Sequence, residues 1–282
     1  MGYSLFDETM VDMTWPDIEK AIKEEAIVLL PTGVIEEHGP HMGLAVDIYL
    51  AYLLSKFTKH ELEAKGIKTL IAPPYYWGIN NATGSFPGSF TVRKETMKAM
   101  LHDILASLHR WGFSHIFNVN WHNDQEHDTT ILESFKEARV DIGVRGYCLV
   151  QDWNAKRLGL TGKEVYVLIE KSPPASEPPP KYLDIHAGEK ETGLMANYFP
   201  DQVNGEMART LKSTDFTSKH LMRFRLGWSD TKKLTPLGYF GNPAGFDKQG
   251  SKIFIEARAR GLANLIDSFL KGTYTPPDLT KA

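Results

Sequence analysis

Apolar strand-like runs alternate with amphipathic helical stretches, which predicts an α/β chain: one domain over residues 1–282 on a mainly parallel sheet with helices on both faces. Three observations carry this. Residues 26–30 (Ala-Ile-Val-Leu-Leu) are continuously apolar, as expected of a strand covered on both faces. Further strand-like runs occur at 68–73, 115–120 and 144–150. Between them, residues 94–111 place Met97, Met100, Leu101, Ile104, Leu105 and Leu108 at helical spacing.

The other helices follow the same logic. Residues 15–24 open with Pro16, whose fixed φ and missing N–H suit a first helical turn. Residues 47–60 carry Ile48, Leu50, Ala51, Leu53 and Leu54, and further helices are expected at 128–138 and 252–270. Residues 172–180, with five prolines, can be neither helix interior nor central strand. An extended loop shaping the pocket or a subunit contact is expected there.

Composition bounds the function. With 282 residues, 42% hydrophobic and 24% charged, the chain can bury a substantial core. A formal net charge of -3 without a basic stripe argues against nucleic acid as a partner. The single cysteine, Cys148, sits in a strand-like run and is expected as a buried thiol. No basic leader precedes an apolar stretch, and no run reaches the ~20 apolar residues that cross a bilayer. A cytoplasmic protein without a membrane partner is expected.

The chemistry is concentrated at strand exits, where open α/β sheets place their ligands. Glu36, Glu37, His38 and His41, then Asp47, follow the first strand. Glu36 and His38 share a side if the segment is extended. His122 and Asp124 follow the run at 115–120, and His186, Glu189 and Glu191 form a third group. Buried carboxylates without a nearby Lys or Arg repel one another, and a divalent cation resolves that conflict. An O/N donor set suits Zn, Mn or Fe, and the number of candidates allows two ions sharing one carboxylate.

The run from Leu30 to His41 with Asp47 resembles the signature of the creatininase family. Phe86-Pro87-Gly88-Ser89, Asn120-Trp121-His122, the His186–Thr192 segment and Gly241-Asn242-Pro243-Ala244 follow in that family's order. The resemblance implies Glu36, His38, Asp47 and His122 as metal ligands, with Asp47 bridging two ions, Zn or Mn or both, with Fe also compatible. It leaves Glu191 and Asp124 as rivals for a fifth ligand position. His186 is implied as the proton-handling residue, with Glu189 beside it in the catalytic set.

The resemblance also implies a metal-dependent amidohydrolase that cleaves the C–N bond of a small cyclic amide, formamide or related substrate through a metal-activated water. A homo-oligomer, hexameric in relatives, is implied too. The chain departs from the family at Asn80, Trp121 and Asn123, where relatives commonly differ, so these are expected to contact substrate. A metal-dependent lyase or isomerase, or a non-catalytic binding protein, are the alternatives on the same residues. Several positions also have plainer readings. Asp47 suits a helix N-cap, Glu189 or Glu191 a first-turn acid, and Glu37 and His41 a supporting role.

Overall fold

The computed structural model describes residues 6–172 and 182–279, so the prolines of the 172–180 segment lie outside the described residues. Five strands form one sheet: β1 (Ile27–Thr32), β2 (Thr69–Ile71), β3 (Ile116–Asn120), β4 (Gly146–Gln151) and β5 (Val167–Glu170). All pairings are parallel, in the order β2-β1-β3-β4-β5. Ten α-helices are described: α1 (Trp15–Lys23), α2 (Val46–Glu63), α3 (Lys94–Trp111), α4 (Gln125–Asp141), α5 (Asp152–Arg157), α6 (Glu189–Tyr198), α7 (Gly205–Thr210), α8 (Ser218–Phe224), α9 (Trp228–Leu234) and α10 (Lys248–Leu270).

Strand alternation divides the core in two. Leu29, Phe117, Tyr147 and Leu168 pack under α2 and α10 with Leu50, Leu54, Ile255 and Leu262. Val28, Leu30, Ile116, Cys148 and Ile169 face the other way, against Met97, Leu101, Leu105, Ile131 and Phe135 of α3 and α4. Both faces are thus covered, which is why these strands read as continuous apolar runs. Cys148 lies in this second layer, where burial, then the charge of Asp128, pushes its thiol well above the ordinary range.

The observed elements differ from the sequence reading mainly at their ends. β1 continues through Pro31 to Thr32, two residues beyond the apolar run. Pro31 comes after Leu29, the last β1 residue paired with β2, so its missing N–H disrupts no bond to that strand. α4 begins at Gln125 rather than 128, because the Asp124 side chain caps it by accepting from the N–H groups of Glu126 and His127. α2 begins one residue before Asp47, with Ala45 at the capping position, so the N-cap reading of Asp47 fails. β5 and the short helices from α5 to α9 lack the periodicity that would have announced them.

Strand order reverses between β1 and β3. Ligand crevices in open α/β sheets lie beyond the carboxyl ends of such a pair.

Candidate metal centre

Gly33, just past β1, makes the site possible. A Cβ there would come within 2.9 Å of the Asp47 Cβ, so only glycine lets the strand exit touch the first turn of α2. The chain then runs without regular structure through Glu36 and His38, while β3 delivers His122 two residues beyond its end. His186 is held by an isolated antiparallel bridge to Phe240. Ala187 follows with φ +51, a left-handed conformation that costs a non-glycine residue of order 1–3 kcal/mol. That turn aims the Ala187 N–H at Glu191 Oε2, 2.7 Å away.

Two donor sets meet at Asp47. Glu36, Asp47 and His122 bring one ligand atom each within 4.8 Å of one another, and so do His38, Asp47 and Glu191. The two Asp47 oxygens face different partners: Oδ2 lies 3.2 Å from His122 Nδ1, and Oδ1 lies 3.6 Å from His38 Nε2. Glu36 Oε1 lies 3.0 Å from His122 Nδ1, and Glu191 Oε2 lies 3.8 Å from His38 Nε2. A third set, Glu36, His38 and His186, overlaps both, with the His38 and His186 rings 4.3 Å apart.

Each imidazole is oriented by a backbone carbonyl. His122 Nε2 lies 3.2 Å from Ile79 O, His38 Nδ1 3.2 Å from Glu36 O, and His186 Nε2 2.8 Å from Glu37 O. A carbonyl only accepts, so each of these nitrogens carries the proton. In a neutral ring the other nitrogen then turns a lone pair towards the carboxylates, the arrangement in which a histidine ligates a metal. His38 Nε2 and Asp47 Oδ2 are buried without a hydrogen-bond partner. Bare lone pairs facing carboxylate oxygens repel, and unit charges about 4 Å apart repel by ~4 kcal/mol at an effective dielectric of ~20. A divalent cation between these atoms satisfies them all, so the residues present fit a metal.

Without metal the cluster holds protons instead. Burial disfavours charge on His122, but Glu36 and Asp47 outweigh it and raise its pKa well above the ordinary value. His38 is raised as well, where Asp47 and Glu191 outweigh burial and His186. Burial opposes ionisation of Glu36 and Asp47 too, yet the surrounding histidines hold both below the usual carboxylate range. For His186, Glu36 and Glu37 outweigh burial and push the pKa up to about 10.

The remaining expected residues fall on both sides of the site wall. Glu191 faces the site, and Trp121 Nε1 donates to its Oε1 at 3.1 Å. Asp124 is turned away and lies in neither donor set. Its Oδ1 caps α4, and its Oδ2 accepts from the N–H groups of Asn81 and Ala82. Glu189 also points elsewhere, accepting from the Tyr182 hydroxyl at 3.2 Å. Glu37 accepts from the Gly39 N–H and lies 3.4 Å from His186 Nε2, while His41 Nε2 meets Thr192 Oγ1 at 2.8 Å.

A cavity of about 790 Å³ opens onto Glu36, Asp47, His122, His186 and Glu191. Trp121 and Asn123 line it, as the sequence predicts for residues that contact substrate. Asn80 does not: it is fully buried behind the wall, where its Oδ1 accepts from the Thr83 N–H. Thr83 in turn hydrogen-bonds Glu36 Oε2. Sequence reasoning missed Arg157, Phe224 and Arg225 of the cavity wall. These lie outside any motif, so no spacing marked them.

The sequence profile of the creatininase family, described as creatinine amidohydrolase, matches residues 11–266. The chain is 28% identical over 206 residues to a creatinine amidohydrolase of Pseudomonas putida, covering 68% of this chain and 72% of that one. It is 24% identical over 232 residues to a mycofactocin precursor peptide peptidase of Mycolicibacterium smegmatis, covering 82% and 80%. Among solved structures, a mutant creatininase of Zn–Zn type superposes with a TM-score of 0.68 at 20% identity, covering 92% of this chain and 97% of that one.

Proposed function

The chain belongs to the creatininase family, and from that premise we propose a metal-dependent amidohydrolase that cleaves the C–N bond of a small cyclic amide, formamide or related substrate. The carrying observation is the division of Asp47 between two donor sets. In this reading Glu36, Asp47 and His122 hold one divalent ion, and His38, Asp47 and Glu191 a second. Glu191 takes the position for which Asp124 was the rival, since the Asp124 carboxylate already accepts from four backbone N–H groups. When bound, the metal supplies Lewis-acid polarisation of the carbonyl and lowers the pKa of a nearby water towards neutrality.

The chain's own residues do the rest. His186 Nδ1, 3.8 Å from Glu36 Oε1, turns towards the donor sets while Nε2 is fixed on the Glu37 carbonyl. It passes a proton to the departing amine, whose expulsion unprotonated is unfavourable. Thr83 steadies Glu36, and Trp121 steadies Glu191, so both carboxylates hold their direction. The buried walls around Trp121 and Phe224 limit water at the reacting bond.

Metal content per chain, measured on protein purified without chelator and again after Zn or Mn reconstitution, tests this. About two ions per chain together with hydrolysis of an amide that incorporates solvent oxygen is the expected result. No bound metal after reconstitution overturns the reading.

A further inference from the structure

The cavity wall carries several charged groups, and nearly all have partners within the protein. Arg258 forms a two-point ion pair with Glu170, at 2.8 and 3.0 Å, and lies over the Trp121 ring. Arg157 donates to Asp128 at 2.6 Å, and Lys94 to Glu133 at 2.8 Å. Asp184 accepts from the N–H groups of Glu189 and Lys190, and Lys190 Nζ lies 5.2 Å from the Phe254 ring centre. Arg225 is the exception: among the described residues its guanidinium has no ion pair, side-chain hydrogen bond or ring contact.

Its surroundings make that exception informative. Arg225 directly follows Phe224, whose ring packs 5.9 Å from that of His186, and both residues line the cavity. Partial burial, then the like charge of Arg157, lowers the Arg225 pKa from its usual value. Arg225 is solvent-exposed and also lines the cavity, so its donors are open to whatever enters there. That cavity measures about 790 Å³, more than a bare five-membered lactam fills. The cavity is thus acidic at the proposed metal ligands and has an unmatched positive charge elsewhere. Guanidinium groups take carboxylate or phosphate oxygens two at a time, through N–H donors fixed in a fork.

We propose that the cavity takes an amide that also carries an anionic oxygen group, carboxylate or phosphate, which Arg225 receives. This rests on the amidohydrolase reading and narrows its substrate class from small neutral amides to acidic ones.

The probes are straight-chain primary amides of increasing length ending in carboxylate, in phosphonate or in methyl. Their binding to the metal-loaded full-length protein is measured by calorimetry. At one or more lengths an anionic probe should bind at least about tenfold tighter than its methyl counterpart, the scale of a hydrogen bond to a charged group. That preference should weaken with added salt. It should collapse in Arg225→Gln and survive in part in Arg225→Lys, with unchanged melting midpoints showing that both variants fold. Whichever of the carboxylate and phosphonate series shows the larger preference identifies the anion.

Equal binding of anionic and methyl probes at every length overturns the proposal, as does a preference that Arg225→Gln leaves intact or no binding in any series. Amide turnover on the same panel is read separately. An Arg225-dependent anion preference without turnover of any amide would count against the hydrolase reading alone, while turnover without the preference would count against the anion site alone.

Discussion

His122 Nδ1 lies 3.2 Å from Asp47 Oδ2, yet that oxygen makes no hydrogen bond. The ring's other nitrogen faces the Ile79 carbonyl, which fixes a proton there, so the neutral ring turns its lone pair towards a carboxylate. The pair is arranged for something positive to come between them, and four predictions follow from that geometry and its surroundings.

Asp47 serves both donor sets, so Asp47→Asn should affect both ions. We expect metal content to fall from about two per chain to one or fewer, with turnover lost. Elemental analysis of the purified variant reads this directly, and a variant with full metal and full activity would defeat the shared-carboxylate arrangement.

His186 stands apart in role. Its ring reaches the Glu36, His38 group, but the two sets that share Asp47 are complete without it. His186→Ala should therefore keep the wild-type metal content while turnover falls by about 100- to 10,000-fold, the usual range for a lost general acid. Loss of metal in that variant would make the histidine a ligand instead.

Glu191 and Asp124 should separate cleanly. Glu191→Gln is expected to lower metal content, because its Oε2 is the carboxylate atom facing His38. Asp124→Ala should leave metal content intact and cost about 1–2 kcal/mol of stability through the lost N-cap. Thermal melting and metal analysis of both variants provide the comparison, and the opposite pattern would return Asp124 to the metal.

The contribution of metal to stability should depend on pH in a known direction. In the metal-free chain, His38 and His122 are held above their ordinary pKa despite burial, through Asp47, Glu36 and Glu191. Groups raised in this way stabilise the fold fully below their unfolded pKa of about 6.5, and that stability is lost as pH rises through the raised folded values. Metal must displace the same protons, so it binds better as pH rises. The gap in melting midpoint between metal-loaded and chelator-treated protein should widen from about pH 6 to about pH 9. A gap that narrows over this range would show that metal is not held by these histidines.

Much of this was legible in the chain itself. Strands covered on both faces must be apolar along their length, so β1, β3 and β4 could be read directly, and α3 was marked over its whole span by its spacing. The first motif carried its own message, since Glu36, His38 and Asp47 crowd the end of a core strand with no lysine or arginine among them. Sequence could not choose between Glu191 and Asp124, because each is an acid near a histidine.

The fold places the two acids differently, through contacts distant in sequence. Asp124 is drawn away by the N–H groups of Asn81 and Ala82, more than forty positions earlier. Glu191 is turned inward by the Trp121 indole, 70 positions away, and by the Ala187 turn. Asn80 and Arg225 were likewise placed only by folding, one behind the cavity wall and the other on it. Residue types and their local spacing specify which chemistry is available, because periodicity and donor identity are written along the chain. Which carboxylate joins a donor set and which only caps a helix depends on competing long-range hydrogen bonds, and those exist only once the sheet has assembled.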